Sequence, residues 1–149
     1  MTRVDIEAVL PHRAPFLFVD CVTELDAGQS ATGFHDVRDD AFWVQGHFPG
    51  RPVMPGVLIA EALAQVAALA AMTGDGELAG QAVFLVGYDK LRFRSPVRPG
   101  DRLVLHASLE RHRRGVVTFS ARAEVEGRRV ADGSLMAVLA PADEAAEQS

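Results

Sequence analysis

Only one cysteine occurs among the 149 residues, Cys21, so no intrachain disulfide can form. It lies in the apolar run FLFVDCV with no cluster of His or cations beside it, and so reads as a small packing hydrophobe, not a reactive thiol. Lysine is almost missing too: of 15 basic residues only Lys90 is Lys, a bias that carries little functional weight. The net charge of −5 argues against a general nucleic-acid binder. The N-terminal stretch MTRVDIEAVLPHR has no signal-peptide core. The longest apolar run, Val57 to Met72, falls about two residues short of a membrane span and contains Glu61 and Gln65. A carboxylate at the centre of such a span would cost about 3 kcal/mol. Internal repeats, low-complexity blocks and linkers are also missing. These absences imply a soluble, cytoplasmic protein forming one domain over 1–149.

The hydrophobic pattern then supplies an order of elements. Residues 4–10 read as a short helix stopped by Pro11. FLFVDCV (16–22) reads as a strand, AGQ (27–29) as a turn, and SATGFHDV (30–37) as a returning strand. A Pro- and Gly-rich loop spans 38–55. A helix opens near Pro55–Gly56 and runs to Met72, with Gly74 and Gly76 as its stop signal. The period then becomes two. AVFLVGY and KLRFRSPV form one long bent strand. RPGD (98–101) turns the chain into 102–112, RRG turns it into 116–125, and EGR turns it into 129–139. The tail from Pro141 is small and acidic and is expected to fray. The helix is apolar nearly all round and must be covered on most sides. The fold class is therefore α+β, with an antiparallel sheet wrapped around one central helix.

Several chemistries lack their motifs. No HxxxH, HExxH or CxxC spacing occurs, so a metal site is not expected. No Gly-rich phosphate loop follows a strand, and there is no GxSxG elbow. What remains is the stretch GHFPGRPVMPGVLIAE at 46–61. Glu61 and Gln65, spaced i, i+4, share one face of the apolar helix. Gln65 can donate one hydrogen bond to the carboxyl, and a second partner must come from elsewhere. Burial raises the pKa of a carboxyl, and one that keeps its proton at neutral pH can act as a general acid. His47 sits between Gly46 and Phe48–Pro49–Gly50, which fix an unusual backbone path. His12, His35, His106 and His112 have no acid at a telling sequence distance. Gly56 opens the helix, where free backbone N–H groups can polarise a carbonyl. A base (His47), an acid (Glu61) and an oxyanion donor (Gly56) together suit proton abstraction beside a carbonyl with loss of a leaving group. A structural Glu and a surface His remain open as the plainer alternative.

Three segments, LPHRAPFLFVD (10–20), GHFPGRPVMPGVLIAEALAQ (46–65) and RFRSPVRPGD (92–101), resemble the 3-hydroxyacyl-acyl-carrier-protein dehydratases of bacterial fatty-acid synthesis, in the family's order. The resemblance extends from about Ile6 to Ala140. It implies a hot-dog fold, and a homodimer with two sites across the interface, often assembled as a trimer of dimers. It implies that His47 is the catalytic base, and that Glu61 is the acid supplied to the partner's site. Gly56 is then the backbone donor to the thioester carbonyl and Gln65 an orienting residue. No cofactor or metal is implied. The partner is an acyl carrier protein bearing a phosphopantetheine-linked chain. Arg92, Arg94, Arg98 and Arg102 are candidates for docking this acidic carrier. Phe84 stands where some relatives have an aromatic tunnel gate.

The chain also departs from the family pattern. Trp43 and Val44 precede Gln45 in DDAFWVQGHFPG, and Tyr88 stands where a small aliphatic residue is usual, so the acyl tunnel is expected to be reshaped. The acid is Glu where the double-bond-isomerising branch usually has Asp, which favours plain dehydration. Two other functions compete. A hot-dog thioesterase would use an acid to activate water without needing His47. A non-catalytic acyl-binding subunit would need neither residue.

Overall fold

The computed structural model describes residues 1–73 and 81–141. Helix α1 (Arg3–Val9) opens with a capping box between Thr2 and Asp5 and ends before Pro11. Strands β1 (Cys21–Asp26) and β2 (Ser30–Asp36) form a hairpin whose turn uses Gly28 at φ +82°. Helix α2 (Gly56–Met72) is followed by β3 (Gln81–Phe93), β4 (Arg102–Arg113), β5 (Val116–Val125) and β6 (Arg128–Pro141). The six strands form one antiparallel sheet in the order β1-β2-β4-β5-β6-β3. The first expected strand is displaced. Residues 16–20 are irregular, and β1 begins only at Cys21. The reason lies in its hydrogen bonds, because Phe16 and Phe18 give backbone groups to a side chain of α2, not to a neighbouring strand. The stop signal at Gly74 and Gly76, and the tail beyond Pro141, lie outside the described residues.

The sheet curls around α2, which packs against β2, β3, β4 and β5. Leu63, Val66, Leu69 and Ala70 of the helix are fully buried. They meet the inward side chains of the alternating strands, Leu103 and Leu105 on β4 and Val117, Phe119 and Ala123 on β5. Each large buried side chain contributes about 1.5–3 kcal/mol relative to exposure. The many alanines on α2 let strands approach closely. Trp43 is part of this core, so its bulk fills the protein interior. Among the described residues, no helix is long and apolar enough to cross a membrane.

Strand β3 occupies one edge of the sheet and bends at two irregularities, between Leu85 and Gly87 and between Asp89 and Arg92. It pairs with β6 on one side only, and it exposes Leu85, Val86 and Phe93. A long apolar edge of this kind invites pairing with another chain.

The loop between α1 and β1 is closed by Asp20. Its carboxylate accepts the Asp36 N–H at 2.6 Å and a guanidinium hydrogen of Arg3 at 3.1 Å, and lies 3.3 Å from His35 Nδ1. Burial acts to raise its pKa, but His35, the Asp36 N–H and Arg3 outweigh burial and hold the carboxyl below the usual carboxylate range. A depressed folded-state pKa gives stabilisation that is present at neutral pH and lost as pH falls through that pKa. Asp20→Asn should therefore lower unfolding free energy at pH 7 by about 1–2 kcal/mol in urea titrations. The difference from the parent protein should shrink below about pH 4.

Candidate functional site

His47 lies in the loop before α2, held from both sides by Val53. Val53 N–H donates to the His47 carbonyl at 2.7 Å, and His47 Nδ1 is 2.6 Å from the Val53 carbonyl oxygen. A carbonyl only accepts, so the proton on this ring sits on Nδ1 and Nε2 carries the lone pair. The ring stacks on Phe48 with centroids 4.0 Å apart. The backbone around it is shaped as the Gly and Pro spacing requires, with Gly50 at φ +72° and reciprocal hydrogen bonds between Phe48 and Arg51.

Gly56 lines the same cleft of about 330 Å³, together with Met54, Ile59, Phe93 and Arg94. The residue before it, Pro55, is the N-cap and offers no side-chain acceptor. The first hydrogen bonds of α2 come from Leu58 and Ile59 to the Pro55 carbonyl. The Gly56 N–H therefore has no partner among the described residues and is available to an acceptor in the cleft. A Cβ here would stand 3.0 Å from the Phe93 ring, which accounts for the glycine.

Glu61 is five residues further along α2 and lines a different cavity, of about 140 Å³. Its companions there include His12, Gln65, Val83, Phe84 and Leu135. Its side chain keeps 24% exposure, so it is less buried than the apolar helix suggests. Gln65, at 1% exposure, is the link to the rest of the fold. Its Oε1 accepts the Phe18 N–H at 2.8 Å, which fixes the amide orientation. Its Nε2 then donates to the Phe16 carbonyl and to Glu61 Oε1, both at 3.1 Å. The second partner of Glu61 is His12, whose Nε2 lies 3.3 Å from the same Oε1.

Distance along the chain is a poor guide to the histidines. His12 meets Glu61, His35 meets Asp20, and His106 Nε2 stands 3.9 Å from Glu124. Only packing between distant parts of the same chain brings these acids near. The one sequence signal for His12 is its place in LPHRAPFLFVD, the segment whose Phe16 and Phe18 bind Gln65.

Phe84 lines the Glu61 cavity. Tyr88 turns its hydroxyl to α2 and donates to the Ala60 carbonyl at 2.9 Å. Burial first, and the Glu61 charge second, push this phenol up to about 12, so it stays protonated. The four arginines divide. Arg94 pairs with Asp132, and Arg102 makes two hydrogen bonds to Asp36 while stacking on Phe34. Arg92 and Arg98 are exposed and have no ion pair among the described residues.

Comparison with known proteins adds three findings. The FabA-like domain family matches residues 10–134. A curated 3-hydroxyacyl-acyl-carrier-protein dehydratase FabZ from Syntrophotalea carbinolica is 46% identical over 93% of this chain and 94% of its own length. Its namesake from Herpetosiphon aurantiacus is 48% identical over 91% and 96%. In structure, the chain is similar to the dehydratase heterocomplex ApeI:P of Xenorhabdus doucetiae, at TM-score 0.75 and 16% identity, over 96% of this chain and 95% of that one. That likeness identifies the hot-dog fold.

Replacement of Gln65 tests the anchoring of the site. Gln65→Leu keeps the bulk but leaves the buried Phe18 N–H without an acceptor. It should cost about 1–3 kcal/mol in urea unfolding at unchanged m-value.

Proposed function

The chain belongs to the FabA-like family, as a 3-hydroxyacyl-acyl-carrier-protein dehydratase of the FabZ kind, and from that membership we propose that His47, Gly56 and Glu61 carry its reaction. The enzyme removes water from a 3-hydroxyacyl thioester and leaves a trans-2-enoyl thioester. His47 Nε2 takes the proton from C2. The Gly56 N–H donates to the thioester carbonyl oxygen as negative charge grows there. Glu61 of the partner subunit protonates the C3 hydroxyl, the C3–O bond breaks, and water leaves. The observation that carries this reading is the tautomer imposed on His47 by Val53, beside a Gly56 N–H in the same cleft that has no partner among the described residues.

The separation of the two cavities supports a shared site. One chain puts His47 in one cleft and Glu61 in another, and β3 contributes to both. A second chain pairing along the exposed β3 edge would cover Leu85 and Val86 and complete each site with the other's acid. The homodimer is the minimal active unit in this reading, and three such dimers can associate further. The acyl chain lies beside Phe84 among the alanines of α2, with Gln65 orienting Glu61. The carrier protein docks near the His47 cleft, where Arg92 and Arg98 are free to meet its acidic surface and Arg94 and Arg102 extend the basic patch. The enzyme works in the cytoplasm, in acyl-chain synthesis.

Purified protein given a 3-hydroxyacyl or trans-2-enoyl carrier thioester should interconvert the two, followed by absorbance of the conjugated enoyl thioester. Release of free thiol would instead make it a thioesterase, and bound carrier without turnover would make it a binding subunit. His47→Ala and Glu61→Gln should each lower kcat by about 100-fold or more. Mixed dimers of the two variants should regain activity, because one of their two sites is intact. A proven mixed dimer without activity removes the shared site.

A further inference from the structure

The mechanism above assigns no task to His12, although it is the residue nearest the acid that the fold brings from far along the chain. Its loop is unusually well anchored. Leu10 and Ile6 are buried, and the Leu10 N–H donates to the Ile6 carbonyl. The Arg13 guanidinium donates to three carbonyls of the turn, those of Leu10 at 2.8 Å, His12 at 2.7 Å and Glu7 at 3.0 Å. The Phe16 N–H donates to the Arg13 carbonyl at 2.8 Å, and Gln65 ties Phe16 and Phe18 to α2. Both ends of the segment are thus fixed, and between them His12 points its Nε2 at Glu61 Oε1 from 3.3 Å.

The other ring nitrogen narrows the reading. His12 Nδ1 is buried and has no hydrogen-bond partner among the described residues. A buried N–H without an acceptor costs about 1–3 kcal/mol, more than a bare lone pair costs. The ring therefore carries its proton on Nε2, the atom facing Glu61. Two N–H groups then face one carboxyl oxygen: Gln65 Nε2–H donates to Oε1 at 3.1 Å, and His12 Nε2 lies 3.3 Å from the same atom. Oε2 has no partner among the described residues. Oε1 is therefore the oxygen held by the protein, and Oε2 is the carboxyl oxygen left open to a substrate hydroxyl.

We propose that His12 is a positioning residue for Glu61: with Gln65 it holds Oε1, leaves Oε2 turned to the substrate as the oxygen that delivers the proton, and stabilises the carboxylate formed when that proton leaves. The inference rests on the dehydratase reading above. The balance is simple. The Oε2–H bond breaks as the leaving C3 hydroxyl becomes water, and the electron pair left on the carboxylate is shared with two N–H donors. His12 itself neither gains nor loses a proton. At 3.3 Å the contact is longer than a closed hydrogen bond, as is common for catalytic pairs before substrate arrives. Because His12, Glu61 and Gln65 lie on one chain, they form a unit delivered whole to the partner's His47.

His12→Ala should lower kcat by 10- to 100-fold, with KM for the carrier thioester within about threefold of the parent. His12→Gln, whose Nε2–H reaches the same place, should recover a large part of that loss. In the Glu61→Gln background, His12→Ala should cost less than about threefold, because its effect runs through the acid. Unchanged kcat in His12→Ala, equal losses in the Ala and Gln variants, or the full loss persisting beside Glu61→Gln would each overturn the proposal. A second measurement does not depend on turnover. Nitrogen-15 spectra should place the His12 ring proton on Nε2 and show it protected from exchange, with protection lost in Glu61→Ala. A proton on Nδ1, or no protection in the parent protein, sinks the role of His12 even if dehydration proceeds. Failure of the parent protein to dehydrate, with the Nε2 proton protected, would instead remove the functional reading and leave the contact standing.

Discussion

The amide of Gln65 is the interaction on which the rest of the arrangement depends. It is a wholly buried polar side chain in an otherwise apolar helix, and such a group is tolerable only when its hydrogen bonds are made. They are made in one way. The Phe18 N–H takes the oxygen, and that choice turns both N–H donors toward the Phe16 carbonyl and Glu61. The loop before β1, the helix and the acid are therefore set by a single planar group. The late start of β1 follows from the same bonds, since the Phe16 carbonyl and the Phe18 N–H are taken up by Gln65 of the helix.

A second constraint is the rigid spacer between His47 and Glu61. It does not bring the two side chains together within a chain. It locks His47 against Val53 through paired hydrogen bonds, and then starts a helix whose first residue, Gly56, lines the same cleft. Glu61 points from that helix into a separate cavity beside the edge strand. His47 and Gly56 thus share one cleft, and Glu61 lines another. In the proposed dimer the two halves meet across the β3 edges.

Much of the fold was legible in one dimension. The alternation in 102–112 and 116–125 matches β4 and β5, with Leu103, Leu105, Val117 and Phe119 facing inward. The long bent strand is β3, with its irregularities where Gly87 and Lys90 interrupt the pattern, but it ends at Phe93, and residues 94–97, expected to continue it, lie outside the ladder. Of FLFVDCV only Cys21 and Val22 are strand, because apolar content alone cannot tell a strand from a segment that packs irregularly on a helix. Residues in the site divided the same way. His47, Gly56, Glu61 and Gln65 were visible in one contiguous motif. His12 was set aside, since its acid is on another element.

The sequence by itself determined the elements, their order, the apolar helix that needs a sheet around it, and the motif that links this chain to its family. Those are local matters of period, turn residues and spacing. Only the tertiary structure decided which nitrogen of His47 is free, what holds Glu61, which arginines are already paired, and that β3 is an edge strand. Those properties depend on hydrogen bonds and contacts between residues far apart in the chain, and no periodicity encodes them.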